Sequence, residues 1–197
     1  SQMTAQFPST TAAELTSIHT GMSVEETGIY EWFYYDKTVG AIISPFLFSL
    51  AGDKNRNSLL KKGIDPKKIF PFSTFYEYLN KKNIKSNVFQ AFSPTAYDDI
   101  LLQGSNAILY ENIEDGLNTL VKKINEEKNK SYNLFYFDKV DSIGHKKGPL
   151  SRESISEATN FISKVNSCLK QLTAKNKTLI IFTADHGQIK INPKKTI

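Results

Sequence analysis

The sequence predicts an α/β fold in which a mostly parallel central sheet is flanked by helices. Short apolar runs rich in β-branched and aromatic residues recur along the chain, as is typical of buried strands. Amphipathic stretches with helical spacing separate these runs, so successive strands are expected to be parallel and joined by helices. Two of the runs end in aspartate and histidine, and parallel sheets place function at the carboxyl ends of their strands.

Five apolar runs are the candidate strands. The first, 39–44, could be a strand or part of a buried turn. The other four predicted strands are 86–92, 106–110, 133–138 and 178–185. Because a helical stretch lies between the last two runs, 133–183 predicts a βαβ unit whose strands are parallel.

Four stretches have the pattern of helices, at 11–21, 73–83, 112–130 and about 151–175. Gly21 suits a C-cap, and Ser73 and Ser151 suit N-caps. The last stretch has the clearest periodicity, with apolar residues three and four positions apart on one predicted face. These residues are Ile155, Ala158, Ile162, Val165, Leu169 and Leu172.

Length and composition indicate one globular domain over 1–197. The net charge of +5 favours anionic partners such as phosphate esters or nucleotides. The lysines are scattered, which argues against a stable nucleic-acid complex. Cys168 is the one cysteine, so an internal disulfide is excluded, and it falls at an apolar helical position. No apolar run is long enough to span a membrane and no export signal is visible, which favours the cytoplasm.

Two polar clusters follow apolar strands. Asp138 ends the run at 133–138, and Asp141 and His145 follow it. Asp185 ends the run at 178–185, and His186 follows it. Each cluster alone also fits a structural interpretation, since aspartate often caps a turn. Parallel strands joined by a helix would put both clusters at one sheet edge, with Gly144 allowing the loop to turn. Carboxylate and imidazole groups there predict a zinc or manganese site.

The stretch FPSTTAAELTSIHTG, Phe7 to Gly21, carries two adjacent threonines before a predicted helix. Either hydroxyl could act as an N-cap, because its oxygen can accept a hydrogen bond from an unpaired backbone N–H. A hydroxyl at a helix N-terminus also sits where anions are stabilised, so it could attack a phosphate. The stretch by itself leaves both interpretations open.

Together, FPSTTAAELTSIHTG, DSIGHKKGP (141–149) and TADHG (183–187) resemble the type I phosphodiesterase/nucleotide pyrophosphatase family of the alkaline phosphatase superfamily. The resemblance extends from about Phe7 to Gly187 and implies an alkaline phosphatase-like fold. It also implies hydrolysis of phosphodiesters or nucleotide pyrophosphates, with a small phosphate-ester or nucleotide substrate. Relatives in the superfamily include phosphomonoesterases and other phosphoryl-transfer enzymes, and a catalytically incomplete fragment acting as a binding module is the further alternative.

The resemblance implies two divalent ions, zinc in most members with manganese as the alternative. By position, Thr11 resembles the nucleophile and a ligand of one ion, and Thr10 is its nearest rival. Asp141 and His145 resemble two ligands of one ion, whereas Asp185 and His186 resemble two ligands of the other.

The sequence departs from the family pattern at three places. A metal-binding aspartate expected before the nucleophile block and a histidine expected after TADHG have no counterpart in the chain. The resemblance therefore implies that 1–197 is a single but incomplete alkaline phosphatase-like catalytic domain. The asparagine that steadies a phosphate in nucleotide-binding members is replaced by the region of Glu31 and Trp32. Trp32, Tyr34 and Tyr35 could form an aromatic wall for a base or could be ordinary core. His19 lies within the nucleophile helix and is predicted to be a core or helix-face residue.

Overall fold

The computed structural model describes residues 4–173 and 177–191. Its helices are α1 Thr11–Thr20, α2 Val24–Thr27, α3 Ser58–Lys61, α4 Phe75–Lys81, α5 Ala96–Leu101, α6 Ile113–Glu126, α7 Lys139–Lys147 and α8 Arg152–Leu169, with a short 3₁₀ helix at Pro66–Lys68. Its strands are β1 Tyr34–Asp36, β2 Ala41–Ser44, β3 Ser49–Leu50, β4 Lys85–Gln90, β5 Asn106–Leu109 and β6 Ser131–Phe135. Across the described ranges, no helix is both long and apolar enough to cross a membrane.

The chain forms two compact units. The first contains the residues up to 86 together with 93–106 and 183–186. The second contains 87–92, 107–182 and the residues from 187 onward. Each unit therefore draws on segments that are far apart in the sequence.

The first unit contains α1 and an antiparallel sheet in the order β1-β2-β3. The sequence run at 39–44 is thus a strand, and it pairs Ile43 with Tyr34. Helix α1 begins after its N-cap Thr10 and ends at Gly21, whose φ of 75° suits glycine. The first half of α1, from Ala12 to Thr16, is buried on all sides together with His19, so the helix is anchored by packing.

The second unit is built on a three-stranded sheet in the order β5-β4-β6. The N–H of Tyr110, just after β5, donates to the carbonyl of Gln90 at the end of β4. The N–H of Tyr136, just after β6, donates to Phe89. The carboxyl ends of the three strands therefore coincide, and the sheet is parallel as predicted.

Helices α6 and α8 enclose the apolar core of the second unit. Its buried members are Ile113, Leu117, Val121, Cys168 and Leu172. Cys168 is packed there, as its helical position predicts, and burial raises the pKa of its thiol. Val165, Leu169 and Leu172 lie in or against this core as predicted. Ile155 and Ile162 do not, since they are 54% and 46% exposed. The buried turn instead includes Ser154, whose hydroxyl donates to the carbonyl of Gly148.

The predicted strand at 178–185 is not formed. Leu179, Ile181 and Phe182 are 85%, 75% and 61% exposed, although their apolar character favours burial. A strand is stabilised by hydrogen bonds to a neighbouring strand, and no strand of the described ranges pairs with this run. The βαβ unit predicted over 133–183 is therefore incomplete. The prediction that the two Asp–His clusters lie at one sheet edge depended on that strand and is not supported.

Candidate active site

Thr11 is the first residue of α1, and its side chain contacts a histidine 175 positions away. Its Oγ1 lies 2.9 Å from Nε2 of His186. The preceding hydroxyl has a different partner, since Oγ1 of Thr10 accepts from the N–H of Ala13 at 3.5 Å. The two threonines therefore occupy different roles, with Thr10 in the N-cap and Thr11 beside the imidazole.

Asp185 and His186 lie in a bend within the first unit. The backbone N–H of His186 donates to Oδ1 of Asp185 at 3.0 Å, which holds the carboxylate against its neighbour. Oδ2 of Asp185 lies 3.8 Å from Nε2 of His186. The side chains of His186 and Asp185 are only 11% and 17% exposed. Thr11 and Asp185 thus approach the imidazole at the same nitrogen.

That shared approach bears on the chemistry of the cluster. In a nucleophile–histidine–aspartate relay, the carboxylate holds Nδ1 while the hydroxyl faces Nε2. Here the carboxylate and hydroxyl oxygens both face Nε2. Hydroxyl, carboxylate and imidazole groups meeting on one side fit the ligand types of a divalent cation such as zinc.

Glu14 is a neighbour of this cluster that the sequence analysis did not single out. It follows Thr11 by three positions on α1, and residues with that spacing share a helix face. It is only 8% exposed. Burial raises the pKa of Glu14, hydrogen bonding from Gln6 opposes the rise, Asp185 adds to it and His186 opposes it. The stretch AAEL gives no local signal that this glutamate is buried.

Asp141 and His145 lie on α7, in the second unit. The sequence predicted a loop that turns at Gly144, and this prediction was wrong, because Gly144 lies within the helix. Helical spacing brings them together instead, with Oδ2 of Asp141 3.4 Å from Nε2 of His145. The side chain of His145 is 75% exposed, whereas that of Asp141 is 32% exposed.

Gln188 explains why residue 144 is a glycine. Its Nε2 donates to the carbonyl of Asp141 at 3.2 Å and to Oδ1 of Asp141 at 2.6 Å. A Cβ at residue 144 would overlap the side-chain amide of Gln188. Gly144 therefore leaves room for a side chain that orients Asp141, and it does not serve a turn.

The five predicted site residues thus form two groups. Thr11, Asp185 and His186 are together in the first unit, and Asp141 and His145 are together in the second. Within 4–173 and 177–191, no group of three or more His, Cys, Asp or Glu side chains is arranged to hold a metal ion.

The predicted aromatic wall is divided between two faces of β1. Tyr34 is buried, and Tyr35 is 58% exposed, because successive strand residues point to opposite faces. Trp32 is half-buried and packs on Phe46, with ring centroids 5.2 Å apart. Trp32 and Tyr34 are therefore core contacts, and Tyr35 cannot share a face with Tyr34.

His19 lies in the core, as its place in α1 predicts. Its Nδ1 is 2.8 Å from the hydroxyl of Tyr76. Burial lowers the pKa of His19 from 6.5 to about 4, so its imidazole is neutral at pH 7.

Comparison with known proteins identifies likenesses to one family. The family model for type I phosphodiesterase / nucleotide pyrophosphatase matches residues 1–197. A solved structure of murine ectonucleotide pyrophosphatase / phosphodiesterase 5 has a TM-score of 0.60 and 18% identity. A structure of an inactive form of that murine protein, in complex with AMP, has a TM-score of 0.58 and 18% identity. Both alignments cover 89% of this chain and 44% of the murine chain. No curated protein sequence matches the chain.

Proposed function

The chain belongs to the type I phosphodiesterase/nucleotide pyrophosphatase family, and from that membership we propose that it carries part of a phosphoryl-transfer active site. The proposed enzyme is a divalent-metal-dependent hydrolase of phosphodiesters or nucleotide pyrophosphates. Thr11 is its nucleophile. The observation that carries this proposal is the 2.9 Å approach of Thr11 Oγ1 to His186 Nε2 at the start of α1.

The contacts of the two threonines support Thr11 over Thr10. Thr10 has the backbone conformation and side-chain bond of an N-cap, so its hydroxyl is engaged with the helix. Thr11 contacts His186, and Asp185 lies near the same imidazole nitrogen. Its position at the N-terminus of a ten-residue helix also places it where partial positive charge favours a phosphate.

The donor set of the first unit fits a divalent cation. Thr11, Asp185 and His186 would hold one ion, and Asp141 and His145 would contribute to a second. When bound, such ions lower the pKa of a hydroxyl and offset negative charge that builds up on phosphorus. Zinc suits these oxygen and nitrogen ligands, and manganese is the alternative.

The reaction that these residues support proceeds in two substitutions at phosphorus. Oγ1 of Thr11 gives its proton to solvent and forms a bond to phosphorus, while the bond between phosphorus and the leaving-group oxygen breaks. The oxygen of a water molecule then bonds to the same phosphorus while the bond between phosphorus and Oγ1 breaks. The phosphate product leaves, and a proton from the water restores the Thr11 hydroxyl. The N-terminal N–H groups of α1 and the positive helix end would stabilise the charged phosphate in both steps.

The nature of the substrate is part of the proposal. The murine neighbour was solved with AMP, which supports a nucleotide as the group recognised here. The positive net charge of the chain also favours an anionic substrate. A phosphomonoesterase is the alternative, and a direct comparison of diester and monoester turnover separates the two.

The test measures hydrolysis of bis(4-nitrophenyl) phosphate and 4-nitrophenyl phosphate by the full chain with added Zn²⁺ or Mn²⁺. We expect cation-dependent turnover of the diester, which Thr11→Ala lowers by about 10³-fold or more and Asp185→Asn abolishes. Thr11→Ser should keep part of the turnover because it keeps a hydroxyl.

Thr10→Ala is the matched control for the nucleophile. It should cost about 1 kcal/mol of stability through the lost cap and leave turnover within a few-fold of wild type. Full turnover by Thr11→Ala, or an equal loss in Thr10→Ala, would contradict the assignment. Faster hydrolysis of the monoester would favour the phosphomonoesterase.

A further inference from the structure

Glu14 has a buried carboxylate oxygen that the proposed reaction leaves unexplained. Its Oε1 is buried and has no hydrogen-bond partner among the described residues. An unpaired buried acceptor costs free energy, more so when the group is charged, so a native structure keeps one for a reason. A ligand-binding role for the carboxyl would supply that reason.

The surroundings of Glu14 point to the kind of ligand. Asp185 and His186 both act electrostatically on it, and Thr11 lies one turn before it on the same helix face. Two carboxylates near one imidazole and one hydroxyl leave an excess of negative charge in a mostly buried place. A divalent cation would offset that excess, whereas an anion would add to it.

We propose that Glu14 is an additional carboxylate of the cation site formed by Thr11, Asp185 and His186, and that it strengthens cation binding without being a direct ligand. This inference rests on the proposed function, because it requires that site to bind a cation. A direct bond is not assigned, since the described side chains include no group of three arranged to hold a metal. Carboxylates that interact with the metal ligands, without binding the metal themselves, commonly raise metal affinity by 10- to 100-fold.

The charge of Glu14 has opposite consequences without and with the cation. In the empty protein, Gln6 hydrogen-bonds the Glu14 carboxylate, but its Oε1 stays without a partner and Asp185 repels its charge, which disfavours the folded state. With the cation bound, the same carboxylate is attracted to it. Removing the charge should therefore keep or raise the melting temperature of the empty protein while weakening cation binding. A residue that only packs would not separate these two effects.

The experiment measures the Zn²⁺ dissociation constant by equilibrium dialysis, and the melting temperature after treatment with a chelator. We expect Glu14→Gln to weaken Zn²⁺ binding by about 10- to 100-fold and to leave the melting temperature of the metal-free protein unchanged or higher. Glu14→Asp, which keeps a carboxyl, should weaken binding less. Glu25→Gln on α2 is the matched control, because Glu25 is exposed and should change neither quantity.

The variants distinguish failure of this inference from failure of the proposed function. If Asp185→Asn loses Zn²⁺ while Glu14→Gln binds it as tightly as wild type, the role of Glu14 is overturned and the proposed function stands. If the wild-type chain binds no Zn²⁺, or Asp185→Asn binds it normally, both are overturned. Glu14 would be a packing residue if Glu14→Gln and Glu14→Asp lowered the metal-free melting temperature equally and also weakened Zn²⁺ binding equally.

Discussion

At the scale of single residues, neighbours in the sequence have separate tasks. Thr10 caps α1 through Ala13, while Thr11 meets His186. The sequence motif favoured Thr11 as the nucleophile, and this role stays a prediction. Glu14 could not be predicted in the same way, because the burial of a glutamate depends on what packs over it. No local pattern in AAEL distinguishes a buried carboxyl from one that faces solvent.

His19 predicts a pH dependence of stability. Its pKa is about 4 in the folded protein and 6.5 without burial. Between those values the unfolded chain takes up a proton that the folded chain does not, so stability falls as pH decreases from 6.5 toward 4. Above pH 6.5 the protonation of His19 does not lower the unfolding free energy, and by pH 4 it lowers it by about 3 kcal/mol.

Urea unfolding from pH 7 to pH 4 measures this effect against His19→Gln, which has no titrating ring. From pH 7 to pH 4, the unfolding free energy of wild type should fall by about 3 kcal/mol more than that of His19→Gln. A constant difference would mean that His19 titrates alike in both states.

At the scale of elements, local patterns predicted four of the eight α-helices in the described ranges, α1, α4, α6 and α8, and the three parallel strands. Gly21 and Ser151 are cap residues as predicted, whereas the N-cap of α4 is Thr74 and not Ser73. The strand predicted at 178–185 does not form. A strand needs a neighbouring strand to pair with, and a local sequence pattern does not reveal whether that neighbour is present. Helix α7 was missed because Gly144 looked like a loop residue. Its small size serves the contact with Gln188 instead.

Gly144→Ala tests that reading of α7. Alanine favours a helix by about 1 kcal/mol over glycine, but its methyl group displaces Gln188 from Asp141 and removes hydrogen bonds worth about the same. We expect the unfolding free energy to change by less than about 1 kcal/mol. In a Gln188→Ala background the clash is absent, so the same substitution should stabilise by about 1 kcal/mol. Equal effects of Gly144→Ala in both backgrounds, measured by urea unfolding, would refute the coupling.

At the scale of the whole molecule, the candidate site combines residues from near both ends of the chain. Residues 183–186 belong to the first unit with α1, although Thr11 and His186 are 175 positions apart. The motifs predicted Thr11, Asp185 and His186 as site residues, and their roles stay predictions; the expected sheet edge did not predict how these three residues meet. The family model matches the entire chain, and the chain spans 44% of the length of the murine neighbours.

The central claim is that Thr11 attacks phosphorus, and the covalent adduct tests it most directly. The chain is mixed with Zn²⁺ and bis(4-nitrophenyl) phosphate, quenched in acid within the first turnover, digested and examined by mass spectrometry. We predict a 4-nitrophenyl phosphoryl group on Thr11, absent from Thr11→Ala and Asp185→Asn and retained in Thr10→Ala. An adduct on Thr10, or diester turnover by Thr11→Ala at the wild-type rate, would contradict the account.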